Sequence, residues 1–177
     1  MQTSATRRYG FEDSRTYLIA TAFIAGNIIL PQLCHLLPQG GPTWLPIYFF
    51  TLVGAWTYGW RTGVLTALAS PLFSTLLTGM PMAASLPAIM LKSILLAFAA
   101  SAVARRTAAA TLGAVAFVIL AYQSAGTLGE WAIANLFPSL GQDTSFHAAV
   151  QDFRIGLPGM LLQLFGGTLA IRLLQRR

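Results

Sequence analysis

The chain has 177 residues, of which 55% are hydrophobic and only 9% charged, with a mean hydropathy of +0.65. Soluble domains carry about 25% charged residues, so this composition excludes a water-exposed surface over most of the molecule and requires lipid as the main solvent. The net charge of +6 does not point to nucleic acid, because the basic residues sit at the ends of apolar runs and form no stripe with interleaved aromatics.

Arg7 and Arg8 stand ahead of the first apolar run. No small-x-small cleavage site follows, so the pair reads as an orientation charge and not as an export signal. Six segments are apolar enough to be read as membrane helices: Thr16–Leu33, Trp44–Trp60, Thr62–Thr78, Ala83–Ala104, Leu112–Leu136 and Ile155–Leu174. Residues 1–15 form a polar N-terminal segment, and residues 16–177 read as one helical domain.

The breaks between segments have chemical causes. Pro38, Gly40, Gly41, Pro42 and Pro46 stop the first helix and delay the second. Gly59-Trp60-Arg61-Thr62-Gly63 reads as a tight turn, and Gly79-Met80-Pro81 ends the third helix. Pro138–Asp152 is the longest polar interval and has room for an ordered lid. The single cysteine, Cys34, excludes an internal disulfide.

With six spans, Arg7, Arg8, Arg15, Arg61, Arg105, Arg106, Arg172, Arg176 and Arg177 all fall on one side. Only Arg154 falls on the other, beside Asp143 and Asp152. The positive-inside rule then makes both termini cytoplasmic. The expected fold is an all-α membrane protein, a six-transmembrane-helix bundle in the cytoplasmic (inner) membrane of a prokaryote.

Polar residues inside the apolar segments are the candidate site. A lysine at membrane depth costs roughly 3 kcal/mol or more on insertion scales, so Lys92 requires a partner or a ligand. At 1.5 Å per residue, Lys92 and Gln163 lie roughly 13 Å below the outer helix ends, Asn27 roughly 12 Å and Glu130 roughly 9 Å. Four helices thus contribute to one polar layer, with Gln123 deeper. Two readings stay open: a Lys92–Glu130 ion pair with Asn27 and Gln163 as interhelical glue, or an outward cavity for a polar small molecule.

Tyr58 and Trp60 take belt positions at the basic end, while Trp44 and Trp131 lie near the opposite end. His35 and His147 fall in outward loops, and no third ligand accompanies them, so no metal site is expected. Small residues recur at Ala22-x-x-x-Gly26, Ala55-x-x-x-Gly59 and Gly166-x-x-x-Ala170, a spacing that permits close backbone approach. There is no phosphate-binding loop, zinc motif or nucleophile constellation. No enzyme activity and no cofactor are expected, and the chain cannot power ATP-driven work alone.

The run Gly40-Gly41-Pro42-Thr43-Trp44-Leu45-Pro46-Ile47 leads through Leu52-Val53-Gly54-Ala55 and Gly59-Trp60-Arg61-Thr62-Gly63 to Ser70-Pro71-Leu72-Phe73-Ser74-Thr75-Leu76-Leu77-Thr78-Gly79-Met80-Pro81. It resembles the substrate-binding S component of energy-coupling factor (ECF) vitamin transporters. The resemblance implies a six-helix bundle that binds a vitamin or cofactor precursor near its outer face. It also implies a membrane-embedded T subunit and two ABC-type ATPases as partners. By the resemblance, Ala22 and Gly26 would dock on the T subunit, and Trp44, Met80, Lys92, Glu130 and Gln163 would gather at the substrate with His147 from a loop; Asn27 joins these substrate-site candidates through its depth in the polar layer. The alternatives are an assembly subunit without ligand, or a membrane-embedded enzyme using Lys92 and Glu130.

Overall fold

The computed structural model describes residues 9–36, 39–107, 109–140 and 143–176; Arg7, Arg8, Pro38, Arg177 and the side chain of Asp152 lie outside the described residues. Among them the fold is all helical. The elements are α1 (Ser14–Cys34), α2 (Gly40–Trp44), α3 (Phe49–Tyr58), α4 (Trp60–Thr78), α5 (Leu86–Ala104), α6 (Leu112–Leu136), α7 (Phe146–Ile155) and α8 (Leu157–Gln175). Short 3-10 turns at Pro46–Tyr48, Ala83–Ser85 and Pro138–Leu140 join them, and residues Gln163–Gly167 of α8 form a π-helical turn.

Four of these helices, α1, α5 with its leading turn, α6 and α8, are long and apolar enough to cross a membrane. The other two expected spans differ for separate reasons. The second apolar segment is broken at Leu45, which adopts the left-handed conformation (φ 47°), and continues as the ten-residue α3. Ten residues rise only about 15 Å, half of a hydrocarbon core of about 30 Å. The third, α4, has 19 residues but carries Arg61 together with Thr62, Thr66, Ser70, Ser74, Thr75 and Thr78.

Helix α3 is the centre of the bundle. It packs on α1, α4, α5 and α8, and every residue from Thr51 to Thr57 is buried. A short helix is tolerated at membrane depth when protein surrounds it. Small residues make the close packing: a Cβ on Gly63 of α4 would stand 2.5 Å from the Ala55 Cβ of α3 and 3.1 Å from the Ala97 Cβ of α5. The turn from α3 into α4 narrows to one residue, Gly59, whose φ of 94° suits glycine.

The interior is rich in alanine, threonine and serine around a few large side chains such as Leu52, Trp56, Leu96 and Tyr122, whereas many large apolar side chains point outward. Leu18, Ile29, Leu76, Leu77, Phe117, Leu128, Phe165 and Leu169 are each more than half exposed. Small and hydroxylated residues inside with leucine and phenylalanine outside is the distribution of a bundle solvated by lipid.

The interval expected as a polar lid holds a helix, α7, packed against α6. The Phe146 ring meets Trp131 edge-on at 6.1 Å. Before it, the Ser145 N–H donates to the Asp143 carboxylate at 2.8 Å, and the Ala148 N–H donates to the Ser145 hydroxyl at 3.2 Å. The bond from the Ser145 N–H is the main reason the exposed Asp143 carboxyl is held below its usual range.

Candidate functional site

Lys92 is reached by a surface of α6 that leaves it room. Gln123, Gly126, Thr127 and Glu130 recur at helical spacing on one face of α6. A Cβ at Gly126 would fall 2.5 Å from Lys92 Cγ and 3.3 Å from its Cδ, so the missing side chain is the space through which the lysine stem passes. Its ammonium group then meets the Glu130 carboxylate in an ion pair. The lysine residue is 8% exposed, a burial at which its charge requires a partner, while the Glu130 side chain is 21% exposed.

The pair forms part of the wall of a cavity of about 490 Å³. Its buried wall comprises Pro31 of α1, Pro46, Ile47 and Tyr48, Ser74 of α4, Lys92 of α5 and Gln123 of α6. Its exposed rim includes His35, Pro42, Met80 and Met82. The lining is chiefly apolar, with a few polar groups converging at one side, which is the constitution of a small-molecule site.

Hydroxyls of α4 fix the rim. Ser74 Oγ donates to the Met80 carbonyl at 2.7 Å, and Thr75 Oγ1 donates to the Pro81 carbonyl at 2.8 Å. The Gly79 N–H closes the helix onto Thr75 O at 2.9 Å with Gly79 left-handed (φ 71°). Met80 and Pro81 are thereby tied to α4 by their backbone.

Of the seven residues expected at the substrate, Met80, Lys92 and Glu130 line the cavity. The other four stand elsewhere. Asn27 is fully buried between α1, α3 and α4. Its Nδ2 donates to Thr51 Oγ1 at 3.1 Å and Ser70 Oγ at 3.2 Å, and its Oδ1 accepts from the Phe50 N–H at 3.1 Å. Both amide hydrogens are used, and the carbonyl satisfies a donor of the first turn of α3 that has no helical partner. Its structural position is that of a lock between helices.

Gln163 is also fully buried, and opens the π-helical turn of α8. It accepts at Oε1 from the Tyr122 hydroxyl at 2.9 Å. Tyr122 in turn packs on Tyr48 of the cavity wall with ring centroids 5.7 Å apart, and Gln163 does not itself line the cavity. Trp44 is half-buried in α2, whose backbone lies against Gly159 of α8. His147 is exposed on α7. Neither lines the cavity.

Depth reasoning overlooked Pro31, Tyr48, Ser74, Ser85 and Ile89 as lining residues. For Gln123 a signal existed: it stands seven residues before Glu130, on the same helical face. Of the two residues expected to dock a partner, Ala22 is exposed, while a Cβ at Gly26 would come within 2.7 Å of the Phe50 ring. Gly26 therefore packs against α3, and the exposed small residues of that stretch are Thr21, Ala22 and Ala25.

Among the described residues no three His, Cys, Asp or Glu side chains gather to hold a metal ion. The arrangement offers an ammonium donor, a carboxylate acceptor and an apolar wall. No protein-family model, curated protein or solved structure matches this chain.

Proposed function

We propose that this chain is the substrate-binding S component of an ECF-type importer, capturing a vitamin or cofactor precursor outside the cell and delivering it inward with a T subunit and two ABC-type ATPases. The observation that carries the reading is the cavity of about 490 Å³, with a part-buried Lys92–Glu130 pair in an otherwise mainly apolar wall. Its volume falls within the range of about 300–1,000 Å³ common to ligand pockets. A polar ligand group can exchange with either member of the pair without leaving a buried charge alone.

In this reading the six segments expected from the sequence are the spans, the second completed by the chain leading into the enclosed α3 and the third, α4, presenting Leu76 and Leu77 to lipid, and both termini are cytoplasmic. The distribution of Arg15, Arg61, Arg105, Arg106, Arg172 and Arg176 against Arg154 supports that orientation. The exposed Thr21, Ala22 and Ala25 of α1 supply the small-residue face for the T subunit. The membrane is the cytoplasmic membrane of a prokaryote.

The internally satisfied ion pair favours a second reading, an assembly subunit that carries no ligand. Purification in detergent, extraction of retained small molecules and mass spectrometry separate the two. The transport reading expects a retained molecule from the wild type and its loss from Lys92→Ala. No retention by the wild type, together with no calorimetric signal across a vitamin panel, would overturn it in favour of the assembly subunit.

A further inference from the structure

At the other end of α3 and α5 lies a second pocket, of about 280 Å³, lined by Tyr9, Tyr58, Gly59, Trp60, Arg61 and Arg105. The Arg61 guanidinium stands 5.5 Å from the centre of the Phe11 ring and 5.1 Å from that of Trp60. Both are cation–π approaches of the charged group to an aromatic ring, and the two rings stand at 88° to each other. Arg105 is exposed and stacks on no ring among the described residues.

Among the described residues neither guanidinium has a carboxylate within ion-pair distance. Two acidic residues stand nearby in the chain: Glu12 is exposed, and Asp13 accepts from the Arg15 N–H as the cap of α1. Arg15 itself lies 5.9 Å over the Tyr9 ring and adds a third positive charge beside the pocket. Two tyrosines complete the lining, and phenolic hydroxyls donate hydrogen bonds. The site is thus rich in donors and positive charge, the chemistry that holds a phosphate.

One flank is apolar and outward-facing. Trp60 stacks on Phe98 with centroids 5.8 Å apart, and Phe98 is 49% exposed. Phe98 stands six residues before Ala104, about 9 Å along α5 from its end. A ligand with its phosphate at the arginines could therefore lay a hydrocarbon chain along Phe98 without crossing a polar surface.

We propose that this pocket binds the phosphate headgroup of an anionic membrane lipid, with Arg61 and Arg105 as its ligands and Trp60 and Phe98 as the path for an acyl chain. A basic site between helices at a membrane boundary is suited to such headgroups. The assignment is independent of what the large cavity at the opposite end binds.

The test is titration of the delipidated full chain in detergent with phosphatidylglycerol, phosphatidylcholine and glycerol phosphate, read by native mass spectrometry. One phosphatidylglycerol should bind with an affinity that falls about fivefold in Arg105→Gln and further in the Arg61→Gln/Arg105→Gln double variant. Phosphatidylcholine should bind more weakly and show no such dependence. Equal binding of the two lipids, or unchanged phosphatidylglycerol affinity in Arg105→Gln, would overturn the proposal. Displacement of the lipid by equimolar glycerol phosphate would reassign the pocket to a soluble phosphate and overturn it equally. Because Arg61 also packs between rings, the exposed Arg105 variant decides the matter if the double variant does not fold.

Discussion

Lys92 is held in place by two features of a single helix face: a carboxylate to pair with and a glycine to pass. Removing one partner of a buried ion pair costs about 3–5 kcal/mol, whereas replacing both by apolar residues of similar volume is close to neutral. Lys92→Ala and Glu130→Ala should each lower thermal stability in detergent, and Lys92→Met/Glu130→Leu should recover most of the loss. A double variant as unstable as the sum of the singles would show that the pair is not coupled. Gly126→Ala tests the passage. Its Cβ would fall 2.5 Å from Lys92 Cγ, and overpacking of this kind costs about 1–3 kcal/mol. Thermal unfolding together with ligand retention measures it, and both should fall. The pair was legible in the sequence because hydropathy exposes Lys92, and Glu130 is the one carboxylate within the apolar segments. Asn27 and Gln163 matched Lys92 in depth, but height along an axis says nothing of the direction a side chain takes. Asn27 turned to Thr51 and Ser70, and Gln163 to Tyr122.

Among the elements, α3 depends most on its neighbours. Its first turn receives a hydrogen bond from α1 through Asn27 to the Phe50 N–H, so Asn27→Ala strands a buried donor and frees two hydroxyls. The expected cost is about 1–3 kcal/mol, measurable by thermal unfolding, with faster amide exchange concentrated at the start of α3. Exchange spread evenly over the bundle would argue against a local lock. The segment leading into α7 responds to pH. Its Asp143 carboxyl is held below the usual range chiefly by the Ser145 N–H, so its contribution is present above the ordinary carboxylate range and fades as pH falls through the lowered value. Amide exchange at Ser145 should therefore accelerate on acidification, and Asp143→Asn should flatten that dependence. Neither α7 nor the break at Leu45 was legible locally. The first lies in a polar interval, and the second is a leucine in a left-handed conformation that no propensity favours.

At the scale of the molecule, the outward-facing leucines and phenylalanines and the hydroxyl-rich interior describe a bundle whose solvent is hydrocarbon. The orientation of that bundle is open to a direct measurement. In a Cys34→Ser background, Ser139→Cys should react with a membrane-impermeant maleimide added to intact cells, and Arg106→Cys should react only after the membrane is opened. Both positions are exposed. The reverse pattern would place the arginine-rich end outside and overturn the inward delivery proposed for the cavity.

Sequence alone determined that this protein lives in lipid, that its chain is a series of apolar helices broken by proline and glycine, and that Lys92 needs a partner. Those conclusions rest on composition and on one-dimensional spacing, and the free-energy cost of charge in hydrocarbon enforces them. Only the tertiary structure decided that α3 is a short helix enclosed from Thr51 to Thr57 and that Gly126 is the channel for the lysine stem. It likewise decided that the cavity wall comes from Pro31, Tyr48, Ser74 and Gln123 more than from the polar layer as a whole. The physical reason is rotational: the sequence sets how deep each residue lies along its helix, and packing against neighbours sets which way it faces.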